Sequence, residues 1–143
     1  MKELPGQGRP DVSPREDLTP SAVELINDSN YEAFRQQNPR AVLVIGAGWC
    51  GFCTQYKPVL GELAKKLLGV AFGYAALDEG HQIQVKRRYG SLTKEGIPFT
   101  TMLRYGEDIG GYYGVPLLEN ALMFLTTHLV QEQPIPDQFR LLP

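Results

Sequence analysis

The sequence predicts an α/β fold, a central mixed β-sheet with helices on both faces, its elements running βαβαβ, a further helical piece, then ββα. Three features carry that prediction. Ala41-Val42-Leu43-Val44-Ile45 is an unbroken apolar, β-branched run, the pattern of a central strand covered on both faces. Soon after it, Tyr56, Val59, Leu60, Leu63, Ala64, Leu67 and Leu68 recur every three or four residues, the period of an amphipathic helix. Farther on, Phe99 to Tyr105 and Ile109 to Tyr113 flank Gly106-Glu107-Asp108, a spacing that suits an antiparallel hairpin.

The remaining elements follow in order. Ala22 to Ile26 reads as a short strand. The next helix is announced by Ser29 with Glu32 three residues on, a capping-box pattern, and must stop before Pro39. The long helix starts near Cys50, and Pro58 inside it predicts a kink. Val70 to Leu77 reads as a strand and Gly80 to Tyr89 as a polar helix. A closing helix has Pro116 in its first turn and Leu118, Leu122, Leu125 and Leu129 as its buried stripe.

Length and composition bound the function. One domain suits 143 residues, and 43% hydrophobic with 21% charged residues is ordinary for a globular protein. Residues 1–20, with four prolines and two glycines, read as a flexible lead-in, residues 21–130 as the domain and residues 131–143 as a Pro-containing extension. Ile135, Phe139, Leu141 and Leu142 could pack back on that domain. Fourteen Lys plus Arg against sixteen Asp plus Glu, a net charge of −2, give no basic patch for nucleic acid. No apolar run approaches the roughly 20 residues of a spanning helix. Without an apolar leader after Met1, a cytoplasmic location is expected, or a periplasmic or secreted one if a signal has been removed.

The chain has two cysteines, Cys50 and Cys53, three residues apart at a strand-to-helix junction. Unpaired N–H groups at a helix start favour thiolate over thiol, which makes Cys50 the expected nucleophile. Cys53, one turn into the helix, is placed to attack a mixed disulfide at Cys50 and resolve it. Two other readings of the pair remain. It could ligate zinc, but only His81 and His128 are available to complete four ligands, so no metal is expected. It could also be an inert disulfide.

At this point the chain resembles the thioredoxin superfamily. The resemblance is carried by Trp49-Cys50-Gly51-Phe52-Cys53, Pro58, Asp78, Gly96-Ile97-Pro98, Gly106 and Gly114, and runs from about Ser21 to Val130. It implies a thioredoxin fold in which Pro98 is cis and lies beside the cysteines. Trp49, Gly51, Phe52, Ile97 and Pro98 would contact an extended substrate.

The chain departs from the family where an aspartate below the cysteines and a lysine on the next strand are usual: Val44 and Tyr74 stand there. Slower resolution at Cys53, or a relay through water, is expected. Gly51-Phe52 matches neither the Gly-Pro nor the Gly-His of well-known members, so the direction of exchange is not set by it. Ser91 to Glu95 reads as a small insertion reshaping the rim of the substrate groove.

The expected function is thiol–disulfide oxidoreduction on protein disulfides, more as a reductant, by a monomer that needs no cofactor and is reset by a reductase or other redox partner. The alternatives are a binding or assembly module on the same fold with vestigial redox chemistry, and an exported oxidase or isomerase.

Overall fold

The computed structural model describes residues 23–141. The expected lead-in over residues 1–20 lies outside them, as do Ala22 and Leu142. Among the described residues five strands form one sheet in the order β1-β3-β2-β4-β5. These are β1 (Val23–Leu25), β2 (Arg40–Gly46), β3 (Ala71–Ala76), β4 (Phe99–Arg104) and β5 (Glu107–Tyr113). β1 and β2 run parallel to β3, while β4 is antiparallel to β2 and β5 to β4. The predicted mixed sheet is therefore present, with the Ala41–Ile45 run at its centre and wholly buried.

Alternation along β2 sorts its side chains onto two faces. Val42 and Val44 join Phe72, Tyr74 and Met102 beneath helices α2 (Gly51–Lys66) and α4 (Leu118–Leu125). Ala41, Leu43 and Ile45 join Phe34, Val85, Tyr89 and Leu103 beneath α1 (Tyr31–Gln37) and α3 (Ile83–Thr93). One sheet thus separates two apolar layers.

Several boundaries differ from the sequence reading, each for a reason outside the local sequence. The Ser29–Glu32 capping box does not form: Asn30 holds the cap position, the Ser29 hydroxyl donates to Asn27 Oδ1 at 2.6 Å, and Glu32 pairs with Arg35. Helix α3 begins at Ile83 rather than Gly80 because its first N–H groups are capped from a distant loop. Ile83 N and Gln84 N donate to the Asp28 carboxylate at 3.1 and 2.9 Å. Ser91, Leu92 and Thr93 are its last turn. His81 precedes α3 instead of lying on a helix.

The hairpin turns at Tyr105-Gly106, both with positive φ (51° and 80°), so Glu107 and Asp108 belong to β5. Leu68, assigned to the apolar stripe of the long helix, lies beyond α2 and is exposed. Pro116 precedes α4, whose last turn widens into a π-helical segment, Thr126–Val130. Beyond it Ile135 is buried against β5, and Phe139 packs on Phe124 with ring centroids 4.9 Å apart.

The Asp28 cap carries a pH prediction. The Gln84 N–H, the largest influence, and the Ile83 N–H hold this carboxyl below its ordinary range. A depressed folded-state value adds stability above the unfolded-state value, and that stability disappears as pH falls through the folded-state value. Asp28→Asn is therefore expected to flatten the acid side of the stability–pH curve, read as thermal midpoint against pH. An unchanged acid limb would remove Asp28 from the account.

Candidate active site

The site is built where β2 ends. Gly46 closes the strand, and Gly48-Trp49 leads into Cys50, the N-cap of α2. This short loop is tethered from the turn after β3: Gly48 N–H donates to both oxygens of Asp78, at 2.9 and 3.1 Å. Cys50 and Cys53 form a disulfide, with Cα atoms 5.2 Å apart. Cys53 N–H donates to Cys50 Sγ at 3.2 Å, so a backbone donor of the helix start is aimed at the first sulfur.

The two sulfurs are not equivalent. Cys53 is fully buried within the helix, whereas Cys50 keeps slight exposure at its end. Pro58 lies inside α2. Between it and the cysteines, the Tyr56 hydroxyl is bonded to Thr100 Oγ1 at 2.9 Å and the Tyr112 hydroxyl at 3.0 Å, fixing the helix to the β4–β5 hairpin. Burial, above all, pushes Tyr56 well above the ordinary phenol range, so this clamp stays neutral and protonated.

The chain returns to the cysteines at Ile97-Pro98, joined by a cis peptide bond. The Ile97 carbonyl oxygen lies 4.0 Å from Cys50 Sγ. A groove of about 520 Å³ opens beside the pair, lined by Phe52, Gln55, Val59, Ile97, Pro98 and residues 114–118. Trp49 and Phe52 are 75% and 65% exposed, an apolar pair projecting into solvent on either side of Cys50. Gly51 has open space around its Cα. All seven residues singled out in the sequence thus lie around the two sulfurs or beside them.

The Ser91–Glu95 segment is not among the groove residues. The rim is instead completed by Gln55, Val59 and the Gly114–Leu118 turn, which only the return of the chain from β5 brings there. Among the described residues no group of three or more His, Cys, Asp or Glu is arranged to hold a metal ion.

A mutant thioredoxin of Halobacterium salinarum NRC-1 superposes with a TM-score of 0.65 at 17% identity, covering 82% of this chain and 97% of the other. Thioredoxin O2 of Arabidopsis thaliana, in its oxidized state, superposes at 0.61 and 20% identity, over 76% and 96% of the two chains. These likenesses establish the fold. By sequence, 87 residues are 29% identical to thioredoxin H2-1 of Oryza sativa subsp. japonica, and 119 residues are 27% identical to thioredoxin H8 of Arabidopsis thaliana. The chain has a thioredoxin fold and is similar in sequence to plant thioredoxins.

The match to the rice thioredoxin covers 61% of this chain and 59% of that protein, and the match to H8 covers 80% and 77%. No family model matches the chain. Within this thioredoxin fold, two residues lie beneath the pair: Tyr74, which the sequence marks only as standing where a lysine is usual, and Gly46, which has no counterpart in the sequence-derived site. A glycine closing an otherwise β-branched strand was the available signal, since such a glycine often marks a close approach by another group.

Proposed function

We propose that this protein is a thiol–disulfide oxidoreductase that exchanges electrons with protein disulfides through Cys50 and Cys53, working as a reductant. The observation that carries the proposal is the placement of Cys50. Its sulfur stands at the N-cap of a 16-residue helix, receives a backbone N–H, and lies 4.0 Å from the carbonyl oxygen of Ile97, a residue that lines the neighbouring groove together with Pro98 and Phe52. A sulfur so placed is stabilised as thiolate once the pair is reduced, and thiolate is the species that attacks a disulfide.

In the reducing direction Cys50 thiolate attacks one sulfur of the substrate disulfide, forming a mixed disulfide and expelling a substrate thiolate, which takes up a proton. Cys53 then gives up its proton and attacks Cys50 Sγ. The Cys50–Cys53 bond forms, the mixed disulfide breaks, and the second substrate thiolate leaves and is protonated. Two electrons pass from protein to substrate, Cys53 supplies one of the two protons and solvent the other, and a separate reductase must restore the dithiol. Phe52, Gly51 and Trp49 offer apolar contact and backbone access beside Cys50, and the turn at Ile97-Pro98 offers polar backbone groups to an extended substrate strand.

The deciding experiment equilibrates the protein in graded thiol–disulfide buffers and follows Trp49 fluorescence. A midpoint near about −270 mV is expected for a reductant of this kind, against roughly −120 to −180 mV for an oxidant or isomerase. A pair that neither opens nor closes across that range would overturn the proposal and favour a binding module on the same fold.

A further inference from the structure

Cys53 must lose a proton inside the protein, at a sulfur with no exposed surface. Burial alone disfavours the thiolate, so the groups facing that sulfur decide how readily it forms. On the sheet side, Val44 is apolar and fully buried. Next along the same face is Gly46, and the space where its side chain would stand is already taken from two directions. A Cβ built there would lie 2.5 Å from the Tyr74 hydroxyl oxygen, 2.8 Å from Cys53 Sγ and 3.0 Å from Cys53 Cβ.

The register explains the approach. Gly46 pairs with Ala76 and Val44 with Tyr74, so Tyr74 is the diagonal neighbour of Gly46, within reach of a long side chain. With no Cβ at Gly46, the position leaves room for both the phenol oxygen and the buried sulfur to approach it. Tyr74 is itself 4% exposed, and among the described residues its hydroxyl donates no hydrogen bond.

Resting on the oxidoreductase reading above, we infer that Tyr74 serves the resolving thiol: across the gap left by Gly46, its hydroxyl donates a hydrogen bond to Cys53 as that sulfur becomes thiolate. In the resolving step the Cys53 proton passes through solvent to the departing substrate thiolate. The Tyr74 proton stays on its oxygen and is shared with the sulfur until the Cys50–Cys53 bond forms. The surrounding charges suit a donor that keeps its proton. Burial first, then the Asp78 and Glu79 carboxylates, raise the Tyr74 phenol above its ordinary range. From α2, the Lys57 ammonium lies 5.0 Å from the ring centroid, a cation packed over the Tyr74 ring.

Tyr74→Phe keeps the ring and removes the donor, so the fold should survive; the thermal midpoint checks this. In a Cys50→Ser background, Cys53 is titrated by ultraviolet thiolate absorbance with and without the Tyr74→Phe substitution. Loss of the donor is expected to move the titration up by about one pH unit. An unmoved titration overturns the inference, because a purely structural role would alter stability and leave the thiol alone.

With both cysteines present, stopped-flow release from a mixed disulfide with a small aromatic thiol should slow about tenfold in Tyr74→Phe at neutral pH, while the first attack by Cys50 is unchanged. Equal release rates across the pH range would again overturn it. Failure of the unaltered protein to attack at all would instead sink the oxidoreductase reading, and the Cys53 titration would still decide the role of Tyr74.

Discussion

Cys50→Ser is expected to lower the rate of disulfide exchange by at least about 1,000-fold, because a serine hydroxyl is not ionised near neutrality and cannot replace a thiolate. The substitution is nearly isosteric at a helix N-cap, a position where serine is a preferred residue, so the loss should be chemical and not structural. Cys53→Ser should separate the two sulfurs. The first attack survives, since the Cys53 N–H that faces Cys50 Sγ belongs to the backbone. The mixed disulfide then persists, because no thiol remains to resolve it, and mass spectrometry of the quenched reaction should find one adduct per chain at Cys50. If Cys50→Ser retains more than about a tenth of the exchange rate, Cys50 is not the nucleophile and the groove beside it becomes a binding surface first.

The contrast between those variants was legible in the sequence, since it depends on local matters: a buried strand, a short turn, and a helix whose first residues carry the cysteines. The same holds for β2 and α2, where Ala41-Val42-Leu43-Val44-Ile45 and the Tyr56-to-Leu67 period each state their structure without help. What the sequence left unread depends on contacts between distant segments. The start of α3 is fixed by Asp28, whose carboxylate comes from the loop after β1, so no signal near Gly80 could have placed it. The groove needs the turn before α4 to meet Phe52 and Ile97. Tyr74 reads only as a departure from the usual lysine until the register sets it diagonally across from Gly46.

Asp108 is the sharpest instance of this limit, and the largest effect on stability is expected there. By sequence it sits in a hairpin loop beside Gly106 and Glu107, where an aspartate would be solvated. In the fold the β4–β5 register shifts between Met102 and Leu103: Met102 faces Gly110 and Leu103 faces Asp108, leaving Ile109 as the extra residue. The bulge turns Asp108 toward α3, and its side chain is only 1% exposed. There it accepts hydrogen bonds from the Tyr89 hydroxyl and Thr101 Oγ1, both at 2.7 Å, and pairs with Arg88. Burial first, then the Asp108 charge, raises the Tyr89 phenol, which therefore remains the protonated donor this carboxylate requires.

Asp108→Ala would strand two hydroxyl donors in the interior and leave Arg88 without its anion. The Arg88 side chain is 41% exposed and can turn to water, so most of the cost falls on Tyr89 and Thr101. The expected loss is about 3 kcal/mol, a large share of a typical domain's stability and about 10 °C in thermal midpoint. Asp108→Asn keeps one acceptor oxygen for the hydroxyls and should lose less than the alanine variant. Because this network anchors the hairpin to α3, on the opposite face of the sheet from the cysteines, either variant should exchange disulfides at the unaltered rate while folded. A loss below about 1 kcal/mol in Asp108→Ala would mean that the hydroxyls find water once the carboxylate is gone, and that the bulge itself, not the buried anion, sets the hairpin.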